Sequence, residues 1–168
     1  MAGRMMQGSA NIPEGFHLSM ALTDCIPVLF FSISAGVLAC RFPSLLFRIG
    51  AVLVILAGSL KAGWKFVIAL KKIDVPFLNR QMRFLMPSGF ALMLLALAVN
   101  RSRWSLTAVL HHVTAFPSCI FFLAGIAGIL ILCFFAKRLD TRNAKSNWKE
   151  QMVNGITQLC FLLGILFY

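Results

Sequence analysis

The sequence predicts an all-α integral membrane protein: a bundle of about five transmembrane helices, with its N-terminus in the cytoplasm and its C-terminus outside. Three observations carry that prediction. Hydrophobic residues make up 60% of the 168 and charged residues only 12%, where a soluble domain carries about 45–50% and 25%. The apolar residues fall in blocks long enough to cross a bilayer core of about 30 Å. Basic patches separate the blocks, giving a net charge of +11 from 16 Lys and Arg against 5 Asp and Glu.

The lead-in MAGRMMQGSANIPEGF has no apolar run behind its first charge and no small-residue cleavage site, so the first span is read as retained. That span covers 17–40. The second covers 49–70, IGAVLVILAGSLKAGWKFVIAL, apolar except for Ser59, Lys61 and Lys65; at helical rise it extends roughly 33 Å. The third covers 82–99. The fourth lies in the long apolar run from Trp104 to Phe135, is placed at 110–135, and is expected to tilt, to kink near Pro117, or to begin with an interfacial turn through His111 and His112. The fifth covers 148–168, its polar start WKEQMVNG giving way to GITQLCFLLGILFY. The chain reads as one transmembrane domain without internal repeats.

Orientation follows from the basic residues. The N-terminus and the second and fourth loops hold ten: Arg4, Lys71, Lys72, Arg80, Arg83, Lys137, Arg138, Arg142, Lys145 and Lys149. The first and third loops hold four: Arg41, Arg48, Arg101 and Arg103. The positive-inside rule then sets the N-terminus in the cytoplasm, with the cytoplasmic membrane of a bacterium as the expected location. The positive charge fits anionic lipid better than nucleic acid, because no helix-turn-helix or zinc pattern accompanies it. Cys25, Cys40, Cys119, Cys133 and Cys160 lie in or at the edges of apolar runs without a C-x-x-C pair and read as small packing residues.

The residues expected to carry chemistry are those buried at the wrong polarity. A cation at mid-membrane costs at least about 2.5–3.5 kcal/mol and is normally paired or functional. Counted from the cytoplasmic ends of their spans, Asp24 lies about 12 Å deep, Lys61 roughly 14 Å and Lys65 roughly 8 Å. Asp24 is read as the only acid inside a span, so it is expected to pair with Lys61. Lys65 stands four residues from Lys61 on the same helical face, an arrangement that disfavours the helix unless an anion sits between them. Trp64 is placed beside them as a possible floor, by stacking or cation–π contact. Asn154 and Gln158, at about 9 and 15 Å, supply hydrogen bonds. His17, seven residues before Asp24, is read as a proton relay; the alternative is an interfacial histidine at the start of the span. A purely structural ion pair with a snorkelling Lys65 is equally open.

The pattern contains no G-x-S-x-G elbow, no H-E-x-x-H, no phosphate-binding loop and no carboxylate pair, so no catalytic residue, metal or cofactor is expected. The leading expectation is a carrier or binding protein for a small anionic molecule or lipid, with Asp24–Lys61 as its switch. An accessory or assembly subunit docked to another membrane protein is the alternative, and a lipid-modifying enzyme comes third. Small residues at helix-packing spacing are read first as sites of close helix contact; membrane lipids, a second copy of the chain or another membrane protein are the expected partners.

Overall fold

In the computed structural model residues 18–73, 75–138 and 144–167 are described. All regular structure among them is helical: α1 (Leu18–Arg41), α2 (Leu45–Lys71), α3 (Pro76–Arg80), α4 (Met82–Val99), α5 (Leu106–Thr114), α6 (Ser118–Arg138) and α7 (Ala144–Leu166), with a 3-10 turn at Arg101–Arg103.

Local chemistry sets the ends. Ser44, in extended conformation, caps α2 by accepting from the Phe47 N–H, which satisfies one of the donors a helix N-terminus leaves open. That cap starts α2 four residues before the expected boundary. Lys72 ends the helix in the left-handed region at φ 55°, its N–H reaching the Ile68 carbonyl. Pro76 opens α3, where a missing N–H costs nothing.

Four stretches are long and apolar enough to cross a membrane: α1, α2, Pro76–Val99 and α6. Their outward surfaces are apolar, with Phe84 74% exposed and Leu123 and Leu130 66% exposed, a coat suited to lipid and not to water. This is a multi-pass membrane protein. α7, 23 residues long, is comparable to the spans in length and packs along α1 and α6, but it carries a polar stripe from Asn147 to Gln158. It is therefore less apolar than the other four.

The fourth span is corrected. Residues 110–117 do not belong to the long helix: α5 stops at Thr114 and α6 begins at Ser118. Ala115 turns extended, at φ −68° and ψ 144°, just ahead of Phe116 and Pro117. Proline cannot donate to the helical ladder and disfavours helical geometry at the residue before it, so the apolar run breaks there. α5 is a separate short helix packed on α6.

The helices pack side by side in the order α4, α2, α1, α7, α6. The α2–α4 seam brings backbone against backbone. A Cβ on Gly50 would lie 2.6 Å from the Gly89 carbonyl oxygen and 2.7 Å from Met93, and one on Gly89 would lie 2.6 Å from Val54. Ala57 and Ala96, each seven residues further along, are wholly buried. Seven residues is about two helical turns, so each helix presents one small-residue stripe to the other. Gln81 ties the base of this seam, donating to the Ala57 and Leu78 carbonyls at 3.1 Å each. On the other flank, Gly125 meets the Phe161 ring, Gly128 meets Thr157 and Gly164 meets Phe122, joining α6 to α7 in the same way.

Candidate functional site

Helices α4, α2, α1 and α7 form an arc, and α4 and α7 do not pack closely on one another. The concave side holds a cavity of about 320 Å³. Its lining comes from all four helices and divides by chemistry. Asp24 of α1 and Lys61 and Lys65 of α2 bring charge, while Glu150, Gln151, Asn154 and Gln158 form a polar stripe on α7. Met82, Met86 and Phe90 of α4, four residues apart, form an apolar stripe on one helical face. Deeper in the bundle Phe31 of α1 meets Phe90 edge to face, with ring centroids 6.3 Å apart. The charged residues gather toward the end of the bundle where α1, α4 and α7 begin and α2 ends.

Asp24 makes its ion pair with Lys65, and both side chains are under a tenth exposed. The expected Asp24–Lys61 pair is thereby corrected. The reason lies in the antiparallel register of α1 on α2. Met20 packs with Ile68, one turn before Asp24 on α1 and within a turn of Lys65 on α2, whereas Lys61 is two turns from Ile68. Measured from the observed helix ends, Asp24 is six residues beyond Leu18 and Lys65 six residues before Lys71, so the two lie level at about 9 Å. Lys61 lies one turn deeper. Asn147, at the start of α7, adds a second contact, its Oδ1 accepting from the Lys65 ammonium at 3.5 Å.

The structure brings five of the expected site residues to one cavity: Asp24, Lys61, Lys65, Asn154 and Gln158. Trp64 is not among the lining residues; it packs against Met20 and Ile68 in the α1–α2 core. A helix turns about 100° per residue, so the neighbour of Lys65 points away from the cavity. His17 lies outside the described residues.

Three residues escaped the sequence reading: Asn147, Glu150 and Gln151, all on the α7 stripe. Glu150 falls within the expected fifth span, 148–168, so Asp24 is not the only acid inside the expected spans. Their signal was their spacing: 147, 150/151, 154 and 158 share one helical face. The stripe is internally bonded at intervals of one turn, Gln151 to Asn147 and Gln158 to Asn154, each at 3.5 Å.

These contacts leave the charges of the cavity unequally satisfied. Lys65 and Asp24 hold one another, although the Asp24 Oδ1 atom is buried without a hydrogen-bond partner. Lys61 and Glu150 make no hydrogen bond or ion pair among the described residues, although they lie within electrostatic reach of one another. The arrangement can therefore offer an incoming molecule an ammonium, a carboxylate, several amides and an apolar wall. Comparison with protein families, with curated proteins and with solved structures finds no match for this chain.

Proposed function

We propose that this chain is a membrane-embedded binding protein or carrier whose ligand engages Lys61 with an anionic group inside the α1/α2/α4/α7 cavity. One observation carries the reading: Lys61 lines the cavity with no ion-pair partner among the described residues, while the neighbouring Lys65 is held by Asp24. A cation at that depth is costly without a counter-charge, and a ligand anion would supply one. The volume, about 320 Å³, lies at the small end of ligand pockets. It suits a small molecule or a lipid headgroup with the first part of its chain.

With the basic loops on the cytoplasmic face, the charged mouth of the cavity opens toward the cytoplasm. For carriage across the membrane, the Phe31–Phe90 contact has to part on the far side while the near side closes, a rocking of one helix group against another. Ligand would drive this motion only by binding one arrangement more tightly than the other.

Native mass spectrometry of the gently purified protein beside Lys61→Met tests the reading. A defined adduct on the wild type that the variant loses supports a ligand site at Lys61, and its mass identifies the ligand. Identical spectra for the two proteins, with no adduct or an unchanged one, refute it.

A further inference from the structure

We propose that the ligand is a zwitterion with an apolar substituent: its anionic group meets Lys61, its ammonium group meets Glu150, and its apolar part lies along Met82, Met86 and Phe90. This rests on the cavity being a ligand site, and goes beyond it in naming what the site selects.

The argument starts from charge balance. Among the described residues the cavity lining contains two acids, Asp24 and Glu150, and two bases, Lys61 and Lys65. Asp24 and Lys65 neutralise one another. What remains is a separated pair, a positive charge on α2 and a negative charge on α7. Both helices flank α1 and do not pack closely on one another, and the two charges form no ion pair among the described residues.

A simple anion entering this site would meet Lys61 but would also face the Glu150 carboxylate. A simple cation would meet the reverse. In a low-dielectric setting each mismatched charge is expensive, because burying an ion requires both a partner and hydrogen bonds. A zwitterion satisfies both walls at once and leaves the occupied site with no net charge. The ammonium has three donors to place, and the α7 amides Gln151, Asn154 and Gln158 add acceptors along the same wall as Glu150.

The remaining wall sets the third requirement. Two of the three α4 residues that face the cavity are methionines, whose flexible thioethers adapt to varied apolar shapes. The shared chemistry, an ammonium and an anion beside an apolar group, belongs both to a free amino acid with an apolar side chain and to an ethanolamine phospholipid. The open seam between α4 and α7 admits a lipid from the side, and the mouth admits a free amino acid.

The test measures binding to the purified full-length protein by native mass spectrometry, with three probes: lysophosphatidylethanolamine, lysophosphatidate and free leucine. Wild type is expected to prefer lysophosphatidylethanolamine or leucine over lysophosphatidate by at least about tenfold, the worth of one charge-assisted hydrogen bond. Which zwitterion binds tells a lipid from a free amino acid. Glu150→Gln is expected to reverse the preference toward lysophosphatidate, and Lys61→Met to lose all three. A melting temperature close to that of wild type verifies that each variant is folded. A wild type that prefers lysophosphatidate, with Glu150→Gln unchanged, overturns the zwitterion while leaving the site at Lys61. Binding that is indifferent to Lys61→Met overturns the site itself, and failure of both zwitterions to bind the wild type overturns this inference.

Discussion

The carboxylate of Asp24 and the ammonium of Lys65 meet in the seam between α1 and α2, level with one another and shielded from solvent at 5% and 8% exposure. Lys61, one turn deeper on the same helix, is thereby left to the cavity. Both lysines, four residues apart, line the cavity, but Lys65 is held in an ion pair and Lys61 has none among the described residues.

That division predicts an asymmetric mutant cycle. Removing one partner of a buried pair strands the other charge and costs about 3–5 kcal/mol, whereas replacing both by apolar groups of similar size is close to neutral. Asp24→Leu and Lys65→Met are each expected to lower the melting temperature in detergent strongly, and the double variant to recover most of the loss. Lys61→Met is expected to melt near wild type. Additive losses at positions 24 and 65 would show that the two charges are not coupled.

The close crossing of α2 and α4 predicts that a single methyl group is not tolerated there. A Cβ on Gly50 would strike the Gly89 carbonyl oxygen, backbone that cannot step aside, so Gly50→Ala is expected to destabilise by about 1–3 kcal/mol through overpacking. Gly36 and Gly63 have nothing within 4 Å of the corresponding position. Gly36→Ala and Gly63→Ala are expected to be neutral or to gain up to about 1 kcal/mol from helix propensity. Thermal unfolding of the four proteins decides, and equal effects at all three sites would refute the account.

The edge-to-face contact of Phe31 with Phe90 joins α1 to α4 across the deep part of the cavity. Such ring pairs contribute about 0.5–1.5 kcal/mol beyond their buried area. A double-mutant cycle with Phe31→Leu and Phe90→Leu is expected to return a coupling of that size. A coupling near zero would mean that the rings do not hold the two helices together.

Sidedness is open to direct labelling. Met86 lines the cavity on its apolar wall, and the polar mouth lies at the end of the bundle that the basic loops assign to the cytoplasm. In a background with the five native cysteines replaced, Met86→Cys is expected to react with a membrane-impermeant maleimide in inside-out vesicles and to be protected in right-side-out cells. The opposite pattern would invert the topology.

Much of this was legible in the chain because depth in a membrane is a one-dimensional quantity. Apolar block length, helical rise and the distribution of Lys and Arg sufficed to expect a multi-pass bundle and to bring Asp24, Lys61, Lys65, Asn154 and Gln158 to similar levels. What one helix does about its own axis, and how it slides against its neighbour, is not written in length or composition. Lys61 and Lys65 differ by one turn, about 6 Å at helical rise, a shift that the placement of the helix ends can produce, so only the observed register, with Met20 on Ile68 and with Asp24 and Lys65 each six residues from the end of its helix, decided which of them Asp24 holds. The same applies to Trp64, turned into the α1–α2 core; a break at Pro117 was one of the ways the sequence offered to absorb the long apolar run, and it is the one found. Glu150 entered the cavity because the rotation of α7 against α1 aims its polar stripe inward. The sequence by itself determined a membrane protein with charges buried at a common depth; the tertiary structure alone decided which charges neutralise one another and which face an open cavity, because ion pairing depends on side-chain direction and register, and both are set by contacts between helices.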